Sequence, residues 1–174
     1  TVRVGSRYFQ TIEGTFRRRA IIRMIVTISR VRSTEKTYMF CAAETAFLRA
    51  EGALRGWDMG GDAQALYEKA IALSFEERGV TTGADRYVKD TEKKPIDYVN
   101  PMDGADIKYS HSAVSTITIA WEPGAENFER NLERIITQKW IAIFSLGLEA
   151  WAEHRRTGYP KLLPAVENKD PNNS

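Results

Sequence analysis

Few side chains in this sequence could carry catalysis, and their spacing matches no common catalytic or metal-binding arrangement. Glu149 and Glu153 lie one helical turn apart and could act as an acid–base pair, but solvated charges on a helix show the same spacing. His111, His154 and the single cysteine, Cys41, are far apart and lack the spacing of zinc ligands. The sequence also lacks a phosphate-binding loop, a dinucleotide fingerprint and a nucleophile elbow. We therefore predict a protein that is not an enzyme and needs neither a metal nor a cofactor.

Aromatic side chains outside the helical patterns are better candidates for function, because they indicate binding. Those in predicted turns or loops are Trp57, Tyr87, Tyr98, Tyr109, Trp121 and Tyr159. An exposed flat ring beside amides and carboxylates can stack on a sugar face or anchor a peptide. The same rings could instead pin a long loop to the helices. We take Trp121, Tyr109, Trp57 and Tyr98 as candidate ligand-binding residues, with Trp121 and Tyr109 foremost because both lie in the long loop.

Helices must position these rings, and the longest predicted helical element spans residues 127–164. Its apolar side chains recur at helical spacing and predict one buried stripe, made of Phe128, Leu132, Ile135, Ile136, Trp140, Ile143 and Phe144 and continued by Leu148, Trp151 and Ala152. The polar residues predicted to face away are Glu133, Arg134, Thr137 and Gln138. Gly147 predicts a kink or a break between two helices, and Gly158 followed by Pro160 predicts the end of the element.

Residues 37–79 predict a helical hairpin. Its apolar faces are Phe40, Ala43, Phe47, Ala50 and Leu54 on the first helix, and Leu66, Tyr67, Ala70, Ile71 and Phe75 on the second. Gly56 follows the first helix, Asp62 is suited to cap the second, and Gly79 marks its end. The spacing is that of a tetratricopeptide-like unit. Because one hairpin buries too little apolar surface alone, the helices after residue 127 are its predicted packing partners.

Residues 81–125 predict a long connection with little regular structure. A short helix is predicted for residues 84–91, and residues 114–121 alternate enough to form a short strand or an extended edge. The prolines, glycine and serines between them predict a loop. A connection of this length inside a compact domain is usually functional or mobile, which is why the foremost binding candidates are placed in it.

The net charge of +2 conceals an uneven distribution along the 174 residues. Residues 1–33 contain eight arginines and one acid and carry +7, whereas the rest of the chain carries −5. No aromatic interleaving or nucleic-acid motif accompanies the arginines, so we do not expect nucleic-acid binding. One cysteine excludes an internal disulfide, and no apolar run approaches the ~20 residues of a membrane-spanning helix. The start at Thr1, without a methionine or a signal-peptide core, predicts a mature, truncated or excerpted chain.

Three stretches form long compound patterns: AAETAFLRAEGALRGWDMGG, LYEKAIALSFEERGV and ERIITQKWIAIFSLGLEAWAEHRRTGYPKL. Over about residues 37–164 they resemble the C-terminal part of the SusD/RagB family of nutrient-binding outer-membrane lipoproteins. The last stretch is the most specific. Its residues that match the family as scaffold are Gln138, Lys139, Trp140, Trp151, Arg155, Arg156, Gly158, Tyr159 and Pro160.

The resemblance implies a mainly α-helical fold of tetratricopeptide-like hairpins with long loops and room for one short β-hairpin or strand. It divides the chain into a basic segment of uncertain origin (residues 1–33), a SusD-like C-terminal helical region (34–164) and a polar tail (165–174). Because ligand contacts in the family vary with the substrate, the resemblance assigns no binding residue.

The resemblance also implies a function, the non-catalytic capture of glycans such as starch, or of other nutrients, in polysaccharide utilisation. Members sit on the extracellular face of the outer membrane through an N-terminal lipid anchor, which we expect outside these 174 residues. They deliver ligand to a SusC-like TonB-dependent transporter. The alternative is a tetratricopeptide-type scaffold for protein–protein interaction, which would need further repeats of about 34 residues that the sequence does not show.

Overall fold

The computed structural model describes residues 40–99, 110–144 and 146–164. Its helices are α1 (Ala42–Leu54), α2 (Ala63–Glu77), the short α3 (Ala84–Tyr87), α4 (Phe128–Ala142) and α5 (Gly147–Thr157), with a 3-10 turn at Ala125–Asn127 before α4. The mainly α-helical class predicted from the sequence is confirmed. The basic segment at residues 1–33 and the polar tail at residues 165–174 lie outside the described residues.

The helices α1 and α2 form the predicted hairpin, and each is capped by a carboxylate. The backbone N–H groups of Ala42 and Ala43 donate to Glu77 Oε1 at 2.6 and 3.3 Å, so the last residue of α2 caps the start of α1. Asp62 accepts the N–H of Ala65 at 3.0 Å and is the predicted cap of α2. These bonds use backbone donors that an isolated helix leaves without partners.

The start of α1 differs from its prediction in two residues. Cys41 falls within the apolar helical pattern of the first predicted helix, but it lies immediately before α1, with extended backbone angles of φ −113° and ψ 145°. Its thiol is buried, and burial together with the nearby Glu77 carboxylate raises the pKa of the thiol. Phe40 therefore lies before the helix and is 65% exposed, so its prediction as part of the buried face is wrong.

The core lies where α1, α2 and α4 meet. Its buried side chains on these helices are Ala43, Ala46, Phe47, Ala50, Leu66, Tyr67, Ala70, Ile71, Leu132, Ile135, Ile136 and Ala142, joined by Val88 and Ile119 from the long connection. Alanines on α1 let its neighbours approach closely. The predicted packing of the hairpin against the first part of the 127–164 element is confirmed.

The predicted buried stripe ends with α4. Phe144, predicted as part of the stripe, is exposed. So are the side chains predicted to continue it, namely Leu148 at 84%, Trp151 at 59% and Ala152. The prediction of a break at Gly147 is confirmed, since α5 begins there. Because α4 ends at Ala142 and α5 begins at Gly147, the helical period is interrupted, and the period counted along α4 no longer selects the buried side of α5. Glu153, and not an apolar residue, is the buried side chain of α5.

The polar side predicted for α4 is also wrong for two residues. Glu133 and Arg134 are 4% and 1% exposed, whereas Thr137 and Gln138 are half-buried. The prediction failed because α4 is covered on more than its hairpin side. Residues 115–122 supply partners for Arg134 at Thr118 and Glu122, and Glu133 pairs with Lys161 at 3.5 Å. A helix covered on two sides buries more than its apolar stripe, and the extra buried residues must then be bonded.

Residues 114–121 run extended along the helices, but no strand forms within the described residues, where one isolated bridge joins Tyr98 and His111. Ile117 and Ile119 are buried and Thr116 is exposed. The alternation therefore serves packing on helices. Of the two predicted alternatives, a short strand or an extended edge, the strand is absent from the described residues, and the carbonyls of Thr118 and Ile119 accept side-chain donors. In place of a neighbouring strand, the Tyr67 hydroxyl donates to the carbonyl of Ile119 at 2.8 Å.

The end of α5 lies at the glycine predicted from the sequence. Gly158 closes α5 with a φ of 75°, and its N–H donates to the His154 carbonyl at 2.7 Å. The helix predicted for residues 84–91 is present but shorter, at Ala84–Tyr87. The Val88 side chain leaves its end and enters the core.

Candidate ligand-binding surface

The loop between α1 and α2 presents the indole of Trp57 at the surface, where it is 62% exposed. The N–H of Trp57 donates to the Gly52 carbonyl at 2.9 Å. Two residues further on, the Met59 carbonyl accepts Arg49 Nε of α1 at 3.0 Å. Hydrogen bonds thus join both halves of the loop to α1, and they fix the backbone that carries the Trp57 ring.

Gly52 explains how close this loop lies to the helix. A Cβ at this position would be 2.9 Å from Met59 Cγ and 3.3 Å from Trp57 Cε3, so both side chains pack on bare backbone. The loop is tightened further by Asp58 Oδ1, which accepts the N–H of Gly60 at 3.2 Å. An exposed ring held in this way loses little freedom when a ligand binds it.

The surroundings of Trp57 suit a ligand with both an apolar face and hydroxyl groups. Arg55 and Asp58 are exposed beside it in the sequence. A pyranose ring can lay its C–H face on an indole while charged groups at the edge bond its hydroxyls. Arg55 Nε also donates to Glu51 Oε1 at 3.0 Å, which limits the movement of the guanidinium.

Trp121 lies at the edge of the core. Its ring packs at a tilt on Tyr67, with centroids 5.6 Å apart and an interplanar angle of 46°. Tyr67 is fully buried, and burial raises the pKa of its phenol. The half-buried Trp121 ring therefore pins the long connection to the helices, the second of the two roles considered from the sequence. Its contact with a ligand stays a prediction.

An ionic cluster fixes the backbone beside Trp121. Glu122 Oε2 accepts Arg130 Nε at 2.6 Å, and its other oxygen pairs with the buried Arg134. Arg134 Nε also donates to the Thr118 carbonyl at 2.9 Å. The hydrogen bonds from the two arginines hold the pKa of Glu122 at about 2. This carboxylate is anionic at neutral pH and acts as a brace.

Tyr98 and Tyr109 belong to the same connection. Tyr98 is 39% exposed, and its backbone exchanges hydrogen bonds with that of His111 at 2.8 and 2.9 Å. Nearby, Asp97 Oδ1 accepts the N–H of Ala113 at 2.8 Å and fastens the two sides of the connection together. Tyr109 lies outside the described residues.

The four predicted binding residues do not form one aromatic cluster in the part of the chain that the structure describes. Trp57 lies in the α1–α2 loop, and no ring contact joins it to Tyr98 or Trp121 within the described ranges. Trp57 is the most exposed of the three that can be placed, and Trp121 is the most enclosed.

A second ionic cluster, which links α5 to α4 and α1, was missed from the sequence. Lys139 Nζ of α4 lies 2.8 Å from Glu153 Oε1 and 3.7 Å from Glu44 Oε1. Arg156 of α5 bonds Glu153 at 2.7 Å and binds both oxygens of Glu51. Three acids, Glu44, Glu51 and Glu153, thus lie near two cations from other turns or helices, and Arg55 supplies a third cation at Glu51. The matched 138–160 pattern, with its lysine and arginines, was the signal that could have revealed it.

The second ionic cluster also argues against Glu149 and Glu153 as a catalytic carboxylate pair. Glu149 is exposed, whereas Glu153 is buried and bonded to Lys139 and Arg156, so the two carboxylates do not face a common site. Burial alone would raise the pKa of the nearby Glu51, but hydrogen bonds from Arg156 and Arg55 outweigh it and hold that pKa below its ordinary value.

Metal ligands and membrane spans were also sought among the described residues. In ranges 40–99, 110–144 and 146–164 no cluster of three or more His, Cys, Asp or Glu side chains could hold a metal ion. None of the helices described there has the length and apolar character to cross a membrane.

Comparison with protein families identifies a family that this chain matches. The family model described as "SusD-like: Susd and RagB outer membrane lipoprotein" matches residues 4–174, a wider span than the resemblance seen in the sequence. Among curated proteins no match was found.

Several solved structures are similar to this chain in sequence and in fold. A SusD homologue from Bacteroides thetaiotaomicron is 51% identical with a TM-score of 0.73, over 80% of this chain and 28% of that chain. A homologue from Bacteroides ovatus is 51% identical with a TM-score of 0.67, over 74% and 26% of the two chains. A chitin-binding SusD homologue from Flavobacterium johnsoniae is 50% identical with a TM-score of 0.70, over 76% and 26%. This chain spans between 26% and 28% of the length of these three relatives.

Proposed function

This chain belongs to the SusD-like family of outer-membrane lipoproteins, and on that premise we propose that it takes part in non-catalytic capture of glycans at the cell surface. The observation that carries this proposal is its 50% identity, over 76% of the chain, to a chitin-binding SusD homologue. Chitin or a related β-linked glycan is accordingly the first ligand to test, and starch oligosaccharides are the second.

Trp57 is the ring that we assign to the ligand, because it is exposed, rigidly based and flanked by charged groups. Tyr98, which is 39% exposed in the long connection, is a second proposed contact. Trp121 is half-buried and contributes mainly by fixing the long connection, and Tyr109 is the fourth proposed contact.

The pKa values and ion pairs of the buried and half-buried carboxylates agree with a binding function that involves no catalysis. A general acid at neutral pH needs a raised pKa, but the pKa values of Glu51 and Glu122 are lowered by arginine hydrogen bonds. The Glu153 carboxylate is bonded to Lys139 and Arg156. These groups stabilise the fold and leave binding to rings and exposed polar side chains.

The proposal extends to partners and location. The family description is that of an outer-membrane lipoprotein, and we infer an extracellular location and delivery of ligand to a SusC-like TonB-dependent transporter. Cys41 is 2% exposed and cannot carry a lipid in this fold. We place ligand capture in residues 34–164, with the basic segment at residues 1–33 and the tail at residues 165–174 outside it.

The test is retention of the 174-residue protein on insoluble polysaccharides. We expect retention on chitin, competed by soluble chitin oligosaccharides, and weaker or no retention on starch. Trp57→Ala should elute about tenfold more readily, which corresponds to about 1.4 kcal/mol of lost binding free energy. Retention on no glycan, or equal retention of the variant, would contradict the proposal.

Trp151→Ala is the matched control, because Trp151 is nearly as exposed as Trp57, at 59% against 62%. If retention came from nonspecific adsorption of exposed tryptophan, Trp57→Ala and Trp151→Ala would lose retention equally. Trp121→Ala is a useful third variant, but its retention must be compared at matched folded fraction, since its ring also supports the core.

A further inference from the structure

A cavity of about 90 Å³ lies where α2, α3 and α4 meet, towards the end of the hairpin that is opposite Trp57. Its most deeply buried lining residues are Phe47 and Ile71, which are 1% and 2% exposed. Phe75 and Tyr87 also line it, and their rings pack at a tilt with centroids 5.4 Å apart. The cavity is smaller than one of about 150 Å³ that binds benzene, so it suits a group of a few atoms.

Two uncharged polar side chains, Ser74 of α2 and Gln138 of α4, line the same cavity and are half-buried. The Tyr87 hydroxyl donates to Gln138 Oε1 at 3.2 Å, which orients the Gln138 amide and leaves its N–H groups for another acceptor. Burial raises the pKa of the Tyr87 phenol, so the phenol stays protonated and remains a donor at neutral pH. The cavity therefore offers a hydroxyl group and an amide donor beside apolar side chains.

The cavity does not suit a charged group. The charged side chain among its described lining residues is Arg78, whose Nη2 donates to the carbonyls of Ala142 and Phe144 at 2.7 and 3.2 Å. A charged group that entered apolar surroundings would lose its hydration, and such a loss needs a counter-charge to offset it. A small neutral group with a methyl, one hydrogen-bond donor and one acceptor fits the cavity better.

We propose that this cavity receives the acetamido group of an N-acetylated sugar and gives the protein a preference for chitin over unacetylated β-linked glycans. The acetamido methyl contacts Phe47 and Ile71. The acetamido carbonyl accepts a hydrogen bond from the Gln138 amide, and the acetamido N–H donates to the Ser74 hydroxyl. This inference rests on the proposed function, because chitin is the ligand proposed there.

The cavity and Trp57 have different parts in this recognition. Stacking on an indole uses the C–H face that pyranose rings share, so Trp57 does not distinguish an acetylated sugar from glucose. The cavity does, because a hydroxyl group in place of the acetamido group brings no methyl to its apolar lining. From Ala63 to Phe75, α2 rises about 18 Å, and an extended hexasaccharide is longer than this distance. One oligosaccharide is therefore long enough to contact both.

The experiment compares chitin hexasaccharide with cellohexaose, which has the same β-linked backbone without acetamido groups, by calorimetric titration into the 174-residue protein. We expect the wild type to bind chitin hexasaccharide about tenfold more tightly than cellohexaose. Gln138→Glu keeps the oxygen that accepts from Tyr87 but loses the amide donors, and Ser74→Leu fills the cavity. Each variant should bind chitin hexasaccharide about tenfold more weakly and cellohexaose as the wild type does.

Two controls separate the cavity from other effects. Gln64→Glu makes the same exchange at an exposed position of α2 and should leave both affinities unchanged. Trp57→Ala should weaken the binding of both sugars by a similar factor. Circular dichroism and thermal melts of each variant establish that it is folded, and the nearly isosteric Gln138→Glu decides the result if Ser74→Leu does not fold.

Equal wild-type affinity for the two hexasaccharides would overturn the inference and leave glycan capture at Trp57 in place. So would a preference for chitin hexasaccharide that Gln138→Glu and Ser74→Leu both retain in full. Absence of saturable heat with either sugar in the wild type would overturn the cavity assignment together with the proposed capture of β-linked glycans.

Discussion

Arg156 of α5 binds both carboxylate oxygens of Glu51 of α1, with two N–O distances of 2.6 Å, although the residues are 105 positions apart in the chain. This pair connects the two ends of the described fold. Since Glu153 is the buried residue of α5, the helix is held by polar contacts where α4 is held by an apolar seam. The attachment of α5 should therefore respond to charge changes more than the hairpin does.

Arg156→Ala should lower the free energy of unfolding by about 1–2 kcal/mol. Removing one partner of a fully buried ion pair costs about 3–5 kcal/mol, and the expected loss is smaller because the Arg156 side chain is 45% exposed. Urea denaturation measures it. Arg55→Ala is the control, because Arg55 pairs with the same carboxylate from its own helix and should cost about 0.3–0.5 kcal/mol. Equal losses would show that α5 is not held by this pair.

Arg134→Met should be more destabilising, by about 3–5 kcal/mol, because it removes a fully buried cation from the Thr118 carbonyl and the Glu122 carboxylate. The Arg134 side chain is 0% exposed. Arg130→Met changes a cation on the same Glu122 carboxylate, but the Arg130 side chain is 42% exposed and should contribute less than about 1 kcal/mol. Chemical denaturation of the two variants measures both losses in the free energy of unfolding, and a larger loss for Arg134→Met is expected if Arg134 is the buried partner of Glu122. Similar values would contradict the burial of Arg134.

Acid should weaken the protein through Glu122. The pKa of Glu122 in the folded state is about 2, below its ordinary value of 4.5, so folding favours the anion. The stabilisation is present above the ordinary pKa and is lost as the pH falls from 4.5 towards about 2. Thermal melts at several pH values test this with Glu122→Gln. The wild type should exceed the variant in Tm at pH 6, and this difference should shrink towards pH 2. A constant difference would contradict the assigned pKa.

The two tryptophans of the 138–160 pattern should differ in their effect on stability. Trp140 is half-buried and donates its indole N–H to the Ala150 carbonyl, so Trp140→Ala should cost about 3 kcal/mol. Trp151→Ala should cost less than about 1 kcal/mol in the 174-residue chain, because the ring is 59% exposed. Urea denaturation separates them. A large loss for Trp151→Ala would mean that the ring is covered.

The sequence was sufficient to locate the helices and several of their ends, because those depend on local signals, whereas the start of α1 and the length of α3 differed from prediction. Asp62 and Gly158 are examples, since a capping carboxylate and a left-handed glycine act within one turn of the residues they affect. The apolar period also identified the seam between the hairpin and α4. These features follow from composition and spacing alone.

The sequence failed where a distant part of the chain determined burial. Arg134 was assigned to solvent because its position opposes the apolar stripe of α4, but residues 115–122 cover that side and supply its partners. Trp151 was assigned to the core because the period was continued across a helix break. No local pattern contains the direction that a chain takes after a break.

The candidate binding surface was foreseen only in part. Trp57 was rightly placed in an exposed turn, because glycines and an aspartate surround it in the sequence. The sequence could not distinguish Trp121 from Trp57, because the pattern around a loop tryptophan does not show whether its ring faces solvent or packs on a tyrosine. The difference lies in Tyr67, more than 50 residues away, whose hydroxyl bonds the backbone at Ile119 beside Trp121.

The most direct test of the account is a calorimetric titration of chitin hexasaccharide into the wild-type chain, Trp57→Ala and Trp151→Ala at neutral pH. The account predicts saturable heat for the wild type and Trp151→Ala with equal affinity, and an affinity about tenfold lower for Trp57→Ala. Equal affinity in all three proteins, or no saturable heat for the wild type with this sugar or a malto-oligosaccharide, would contradict glycan capture on the Trp57 surface.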